Sequence, residues 1–593
     1  MSISTFARES LPRFVLVAGS FLVLSGIYAF GGRTDGTLRL LTALIWLAIG
    51  IVVSLRAYYL YQLLREKGQN GVSRSRSGEK RVRSEISKPL SSNLPSVHFR
   101  LRKSLQTFLG WRPSNLTTLT TLCWGVLIVI QYIGFENPSF YPAGPELTDG
   151  MYALESNPFL PTTASTTRGT RFLWIFSGTL IWTALTAAFA RNRKFNTRAV
   201  FVVFFGFGIL AAFGALARLS GTEKILWLFE SHTPYFFGTL FYKNHWGELA
   251  ALMSAVGIGL SRNFWKEEKH EGHFPDRTVS FSCLVFLVAL TIPLASARGA
   301  TLALGGIIMA FTVTLLRKGR IRSSKFEDRR EKGEGRREKG EKSEPRRMKS
   351  SDKTYPSTLS EHGRATRPTL RRLADSPTHR LTASLALPLL SLVALLSALG
   401  AFFYLSEPSL EKGLEKTETQ WGFFKDSGDA KYPELRGYLW EDALRAFSTR
   451  PLTGWGIGSY VYIQFVYAGE KLRSLGDGQT PPLVEFAHND YIQWLVEFGL
   501  IGTILLILPP IAAVVKIARF GEVGTLASWI AVGLVAFLFT AAIDFPFGNP
   551  ALALTSCWLA AVAYGDSMAN RAESSRRFRN SNSKDSSGRA HRK

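Results

Sequence analysis

Residues 199–219 read AVFVVFFGFGILAAFGALARL, an apolar run in which Arg218 is the one charged residue. A helix of this length crosses the ~30 Å hydrocarbon core of a bilayer. A surface helix of a soluble protein would instead carry polar residues on the face turned away from its core. The run therefore predicts a membrane-spanning helix and argues against a soluble globular protein.

Similar apolar blocks recur along the 593 residues, and together with 199–219 they predict about twelve transmembrane helices. The expected fold is an all-α integral membrane protein with one large helical periplasmic loop, at 405–490, before the tenth helix. The twelve blocks lie at 14–30, 38–63, 117–135, 171–190, 199–219, 245–262, 279–297, 299–316, 381–404, 491–515, 523–543 and 549–566. They group into helices 1 and 2 (1–64), helices 3–8 (117–316), helix 9 (381–404) and helices 10–12 (491–566).

Three basic stretches carry the whole formal net charge of +26: 65–112 holds +9, 317–380 holds +11 and 567–593 holds +6. With twelve spans all three fall on one side, and the positive-inside rule makes that side the cytoplasm. The predicted elements are a basic cytoplasmic loop at 65–116, a disordered basic cytoplasmic loop at 317–380, and a basic cytoplasmic tail. Both termini are then cytoplasmic, and the charge faces anionic lipid rather than nucleic acid.

The stretch Ser296-Ala297-Arg298-Gly299-Ala300 joins the seventh and eighth predicted helices. A connection this short needs a tight turn, which Gly299 is expected to supply. Arg298 would then be held at the outer membrane surface. It is either an interfacial arginine whose side chain reaches toward the headgroups, or a binding group for a phosphate at that depth.

Polar residues also enter the sixth helix from the outside, in Tyr242-Lys243-Asn244-His245-Trp246-Gly247-Glu248. The basic and aromatic residues of this stretch are typical of a membrane interface. Glu248 lies one turn deeper than Asn244, where a carboxylate needs a partner or a water-filled cavity. Asn244 and Glu248 are therefore possible substrate-binding residues.

The large outer loop contains an amphipathic helix at 434–450, since its apolar residues recur every three to four positions. Arg436 and Trp440 lie four apart on another flank of this helix, and Pro451 marks its end. The glycines of 452–458 resemble a dinucleotide fingerprint, but no strand precedes them, and a tight turn fits the sequence better.

His488 stands immediately before the tenth helix, in His488-Asn489-Asp490-Tyr491. An imidazole titrates near neutral pH and is the commonest general base. A histidine next to a helix start also often has a purely structural role. A zinc site is disfavoured, because no second His or Cys stands at helical ligand spacing.

Taken together, these segments resemble the bacterial O-antigen ligase/polymerase family of polytopic membrane glycosyltransferases. The similarity runs from Arg436-(x3)-Trp440-(x2)-Ala443 into Arg450-Pro451-Leu452-(x)-Gly454-(x)-Gly456-Ile457-Gly458, then through His488-Asn489-(x)-Tyr491 to Glu497-(x)-Gly499-Leu500-Ile501-Gly502. Ser296–Ala300 resembles a Ser-Arg-Gly element of the family, with Ala297 added. Asn244 is similar to an Asn that opens a family helix, and Asp544-Phe545-Pro546 resembles a late outer turn.

The resemblance implies transfer of a glycan from a polyprenyl-diphosphate carrier at the outer face of the bacterial inner membrane, without metal or cofactor. His488 would act as the base, and Arg298 and Arg436 would bind the diphosphate. Asn489 and Tyr491 are further possible substrate-binding residues. The acceptor stays open among a lipid-A core sugar (ligase), another carrier-linked glycan (polymerase) and a protein hydroxyl (O-oligosaccharyltransferase). A polysaccharide transporter or flippase without transferase activity is the non-enzymatic alternative.

Overall fold

The structure is a computed structural model. It describes residues 3–29, 34–78, 115–142, 151–157, 160–222, 224–231, 236–271, 275–316, 433–474, 481, 483–520 and 524–590. The chain divides into one compact unit of Met1–Ala310 with Gly428–Lys593 and a second of Phe311–Ser427. The predicted ninth helix (381–404) and the predicted disordered loop (317–380) both lie outside the described residues.

Helices make up most of the described chain and strands very little of it, as expected for an all-α membrane protein. In chain order they are α1 (Ile3–Tyr28), α2 (Asp35–Gly78), α3 (Asn115–Gly134), α4 (Thr166–Phe189), α5 (Arg193–Leu219), α6 (Lys243–Glu271), α7 (Asp276–Leu294), α8 (Arg298–Leu316), α9 (Pro433–Thr449), α10 (Tyr460–Tyr467), α11 (Glu470–Arg473), α12 (Asp490–Phe520), α13 (Leu526–Ala541) and α14 (Pro550–Ala590). A short 3₁₀ helix, Pro546–Gly548, precedes α14.

Two small antiparallel hairpins are the strands of the described chain. The first pairs β1 (Phe140–Pro142) with β2 (Met151–Ala153), and the second pairs β3 (Lys224–Ile225) with β4 (Phe229–Glu230).

Seven helices of the described chain are long and apolar enough to cross a membrane, and each coincides with a predicted block. Two shorter apolar helices, Leu119–Gly134 and Leu526–Ala541, match two more blocks. The integral membrane fold is thereby confirmed, and the count of twelve spans stays a prediction. The seven are Ser10–Tyr28, Asp35–Tyr58, Thr166–Phe189, Arg193–Leu219, Asp276–Leu294, Arg298–Leu316 and Asp490–Arg519.

Helix α6 lies in the interior of the bundle, where α7 and α13 pack against it. Its glycines allow this close packing. A Cβ added to Gly257 would stand 2.6 Å from the Val285 side chain, and one added to Gly259 would stand 2.9 Å from Trp529. Small residues let membrane helices approach closely. Protein rather than lipid surrounds α6, which explains why its apolar block is weaker than that of α5.

The turn between α7 and α8 differs from the sequence expectation. Ser296 has the left-handed backbone, with a φ of 56°, and Gly299 lies inside α8. Gly299 is required for space instead, because a Cβ there would stand 2.7 Å from Cδ1 of Ile543. Turn conformation and close packing both select glycine, and the sequence alone does not tell which of the two applies.

The glycine-rich loop after α9 docks into a break in α12. Gly499 has a φ of 63° and a ψ of −174°, which interrupts the helix. The N–H of Trp455 donates to the Val496 carbonyl at 2.8 Å, and that of Leu500 donates to the Pro451 carbonyl at 2.8 Å. Backbone groups freed by the break are thus hydrogen-bonded by the loop. The two glycine motifs of the sequence form one structural unit that joins the outer loop to α12.

Candidate active site

The turn Ile543–Phe545, between α13 and the 3₁₀ helix, touches all four polar segments identified in the sequence. The Ile543 side chain packs beside Gly299, next to Arg298, and its carbonyl accepts a 2.7 Å hydrogen bond from Nη1 of Arg436. The Asp544 carboxylate contacts the segments that carry Asn244 and His488. We call this turn the hub turn.

His488 and Asp544 form a side-chain pair. Nδ1 of His488 lies 3.3 Å from Oδ1 of Asp544, and the imidazole is about one-quarter exposed whereas the carboxylate is buried. An ionised carboxylate only accepts hydrogen bonds, so Nδ1 must carry the proton in this contact. Whenever the ring is neutral, this proton on Nδ1 leaves the lone pair on Nε2.

Three groups hold Asp544 in place, namely His488, the Asn244 amide and the backbone N–H of Phe545. Nδ2 of Asn244 donates to its Oδ2 at 2.6 Å, and the Phe545 N–H donates to its Oδ1 at 3.1 Å. Burial raises the pKa of Asp544, but the hydrogen bond with His488 and the positive charges of His488, His245 and Arg436 outweigh it. The pKa of Asp544 consequently lies below its usual value, and the carboxylate is ionised at neutral pH.

Phe545 is the centre of an aromatic cluster that fixes the orientation of the imidazole. It stacks on Phe486 with ring centroids 4.5 Å apart and on Tyr242 at 5.3 Å. His488 and His245 each meet its ring edge-on at 4.8 Å. Ring contacts of this kind restrict the rotation of His488 around its side-chain bonds.

The backbone at His488 is left-handed, with a φ of 51°, which is uncommon for a residue with a side chain. Hydrogen bonds of the preceding residue hold this conformation. Nε1 of Trp440 donates to the Ala487 carbonyl at 3.0 Å, and the Ala487 N–H donates to Oε1 of Gln493 at 3.1 Å. Non-glycine residues in this region cluster at functional sites. Trp440 of α9 thereby helps to position a residue of a different segment.

The two predicted arginines are close enough for their charges to interact. Arg298 is exposed at the start of α8, and Arg436 is half-buried in α9. The charge of Arg436 also acts on Asp544 and Glu248. The site thus combines two guanidinium groups that are exposed or half-buried with carboxylates that are buried.

Glu248 and Asp490 are two further buried carboxyl groups, each about 2% exposed. Oδ2 of Asp490 accepts a hydrogen bond from the Phe547 N–H at 3.0 Å. Oε2 of Glu248 accepts none from any described residue. Charge interactions connect Glu248 with Asp490, Asp544 and Arg436, so Glu248 belongs to the same cluster.

Asn489 and Tyr491 make contacts that support the fold. Oδ1 of Asn489 accepts from the N–H groups of Tyr491 at 3.0 Å and of Ile492 at 3.1 Å, which caps the N-terminus of α12. The Tyr491 hydroxyl donates to the Leu538 carbonyl of α13 at 2.9 Å. Their substrate-binding roles stay predictions.

Asp544 is the residue of this site that sequence patterns do not identify as a functional group. The motif Asp544-Phe545-Pro546 marks a late outer turn, and this is the one signal that the sequence offers. Its partner Asn244 is 300 positions away, so no local pattern could show the contact. Among the residues that the structure describes, no group of three or more His, Cys, Asp or Glu is arranged to hold a metal ion.

The family model described as O-antigen ligase matches residues 365–507, a segment that includes Arg436 and His488. The match confirms the resemblance to an O-antigen ligase family and supports a membrane glycosyltransferase of the ligase/polymerase type, acting on glycan and lipid-linked substrates in a bacterial membrane. No curated protein matches the chain.

Proposed function

We propose that this protein transfers a glycan from a polyprenyl-diphosphate carrier to an acceptor hydroxyl at the periplasmic face of the inner membrane. The pair of His488 and Asp544, with Arg436 hydrogen-bonded to the adjacent Ile543 carbonyl, is the observation that carries the proposal. A base, His488, and an anion-binding group, Arg436, thereby contact the same hub turn.

In the proposed reaction, Nε2 of His488 takes the proton of the acceptor hydroxyl. The freed oxygen attacks the anomeric carbon of the donor and forms the new glycosidic bond with inversion. The bond between that carbon and the diphosphate oxygen breaks, and its electron pair stays on the diphosphate. Asp544 stabilises the imidazolium that forms, because its carboxylate faces Nδ1.

The arginines act on the leaving group. Negative charge on the diphosphate grows as the bond breaks, and guanidinium groups bind phosphate oxygens in a fork geometry. Arg298 and Arg436 would thereby stabilise the transition state more than the bound donor, which is the condition for rate acceleration. With arginines in this role, the proposed reaction needs no metal ion.

The proposed topology places both termini in the cytoplasm and the hub turn at the periplasmic face. The parallel course of α1 and α5 supports it. Oγ of Ser20 donates to the Ala199 carbonyl at 3.3 Å, and the Tyr28 hydroxyl donates to the Gly206 carbonyl at 2.7 Å. Residue numbers rise in step along both helices, as the first and fifth spans of an alternating topology must.

The favoured acceptor is a lipid-A core sugar, which makes the protein ligase-like. Polymerase and protein O-oligosaccharyltransferase activities use the same chemistry with a different hydroxyl. Glycans of a deletion strain separate the three. Accumulation of carrier-linked polymer, with no long chains on lipid A, indicates a ligase. Lipid A capped with single glycan units indicates a polymerase. An altered glycoprotein with intact lipopolysaccharide indicates a protein transferase.

The direct test uses the purified protein in nanodiscs with a polyprenyl-diphosphate-linked glycan and a lipid-A core acceptor. We expect release of polyprenyl diphosphate in step with acceptor glycosylation, and a roughly 10²–10⁴-fold lower rate for His488→Ala. His270→Ala is the matched control, because His270 is exposed near the C-terminal end of α6. In sealed proteoliposomes of the same protein, carrier movement across the membrane without any new glycosidic bond would contradict the proposal and favour a transporter.

A further inference from the structure

A cavity of about 300 Å³ lies between Arg13 of α1 and the start of α5, at the opposite end of the bundle from the hub turn. Its lining residues are Arg13, Asn192, Lys194, Phe195 and Arg198. Gly214 of α5 packs against Phe237, next to the outer segment that carries Asn244. The cavity therefore lies roughly 30 Å from the candidate active site along α5, at 1.5 Å per residue.

Helix pairing explains why cations from two elements face one cavity. The hydrogen bonds from Ser20 to Ala199 and from Tyr28 to Gly206 fix the register of α1 against α5. Seven residues before Ser20 is Arg13, and seven before Ala199 is Asn192, so these two residues lie level. Lys194 and Arg198 are four apart and share one face of α5.

The charges at the cavity are unbalanced. Of the described residues that line the cavity none is acidic, and Arg13, Lys194 and Arg198 form no ion pair with another described residue. Their neighbour Arg193 differs, because its Nε lies 3.5 Å from Oδ1 of the buried Asp566 in α14. The cavity is thus lined by three exposed cations and no described counter-charge, which gives it a positive potential that favours a bound anion.

The start of α5 adds to the positive potential. Oδ1 of Asn192 accepts from the Phe195 N–H at 3.2 Å and caps the helix. The neighbouring free N–H groups and the helix dipole favour an anion there. The amide of Asn192 still has its Nδ2 donor for a ligand, and Phe195 contributes an apolar wall. Arginine and lysine side chains donate to phosphate oxygens, so a cavity with these donors suits a phosphate group.

The depth of the cavity indicates where the phosphate comes from. Arg13 and the start of α5 lie at the ends of two candidate spans, Ser10–Tyr28 and Arg193–Leu219. This is the level of lipid headgroups, and basic pockets between membrane helices on the cytoplasmic side bind anionic headgroups. We propose that this cavity binds one phosphate group, carried by an anionic phospholipid of the cytoplasmic leaflet or free in the cytoplasm.

The test uses full-length protein in neutral detergent and measures binding by native mass spectrometry. Dioleoyl phosphatidylglycerol and inorganic phosphate are titrated separately, with dioleoyl phosphatidylcholine as the zwitterionic comparison. Each neutralised cation near a surface is expected to weaken binding roughly five-fold. The triple variant Arg13→Gln/Lys194→Gln/Arg198→Gln should therefore bind about 10²-fold more weakly than the wild type.

Arg191→Gln is the matched control, since Arg191 is a neighbouring exposed cation that does not line the cavity. It should bind like the wild type. If the triple variant loses the binding of phosphatidylglycerol, the ligand of the cavity is a lipid headgroup. If it loses the binding of inorganic phosphate, the ligand is a soluble phosphate. The proposal is overturned if neither probe binds, or if Arg191→Gln loses as much binding as the triple variant. The single variant Arg198→Gln, with an expected five-fold loss, serves if the triple variant does not fold.

Discussion

Asp544 has two carboxylate oxygens, and each orients a different part of the site. Oδ1 faces Nδ1 of His488, and Oδ2 accepts from Asn244. One residue thus fixes the imidazole tautomer and the start of α6 together. Asn244, predicted as a substrate-binding residue, has its side-chain N–H groups directed to Asp544 and to the Tyr242 hydroxyl. We therefore propose a positioning role for Asn244.

The variant Asp544→Asn keeps the shape of the side chain and removes its charge. The amide can donate to Nδ1, which favours the tautomer with the proton on Nε2, and it cannot stabilise an imidazolium. We expect glycan transfer to fall at least about 10²-fold while donor binding changes little. The measurement is kcat and KM for the purified variant. An unchanged kcat would show that His488 works without this partner.

Asp544 should also affect stability in acid. Its folded-state pKa is lowered, so its contribution is present above the unfolded pKa of about 3.9. The contribution is lost as the pH falls through the folded pKa, when the carboxylate becomes protonated. The stability advantage of the wild type over Asp544→Asn should thus be present above about pH 5 and shrink below about pH 4. Thermal unfolding in detergent at each pH gives the difference, and an advantage that grows toward low pH would contradict this sign.

Arg436 should not be replaceable by lysine. Lysine keeps the positive charge but has no planar fork for two phosphate oxygens. It would also have to reach the Ile543 carbonyl with a single ammonium group. We expect Arg436→Lys to lower kcat roughly 10- to 100-fold. Arg445→Lys, on the same helix, is the control and should stay within about two-fold of wild type. Equal losses in both variants would indicate a general effect on α9.

At the scale of elements, local patterns predict the helices, but not the pairings between them. The three-to-four spacing of apolar residues predicts an amphipathic helix at 434–450, and α9 spans Pro433–Thr449, with Leu439 and Ala443 buried. The glycines at 454 and 499 belong to separate motifs in the sequence. They lie against each other in the fold, because a Cβ on Gly454 would stand 2.4 Å from the Gly499 nitrogen. Such a contact depends on chain segments far apart in sequence.

Gly499→Ala should therefore destabilise the protein strongly. The new Cβ would stand 2.4 Å from the Leu452 carbonyl oxygen, and the φ of 63° with ψ of −174° is a region essentially reserved for glycine. We expect the free energy of unfolding to fall by about 2–4 kcal/mol and the Tm in detergent to be lower. Gly305→Ala is the control, since no atom lies within 4 Å of a Cβ there. The free energy of unfolding of that variant should match that of the wild type or exceed it by up to about 1 kcal/mol. Similar Tm values for both variants would rule out the docking role of the loop.

At the scale of the whole molecule, hydropathy predicts the class of fold because the bilayer imposes a length on every spanning helix. It is less informative for α6, whose residues face protein and are selected for small size. The net charge of +26 belongs to three segments at one side of the predicted topology, whereas the candidate active site holds carboxylates at the other. Charge composition therefore bears on orientation, and the chemistry depends on a few side chains.

The predicted topology can be measured with reporter fusions. Green fluorescent protein fused after Lys593 should fluoresce, because it folds in the cytoplasm, and alkaline phosphatase at the same position should be inactive. Alkaline phosphatase inserted after Ser156, next to the outer hairpin of β1 and β2, should be active. The opposite pattern at both positions would invert the molecule and place the hub turn in the cytoplasm.

The hub turn also sets the time at which the site can exist during synthesis. His488 and Asp544 are 56 residues apart, and chain growth of roughly 5–20 residues per second separates them by about 3–11 seconds. During that interval the nascent protein already exposes its arginines to carrier lipids, yet His488 has no carboxylate partner. Under the proposed function the site is complete only after the final helices arrive, so an interrupted chain in the membrane is expected to bind donor without consuming it.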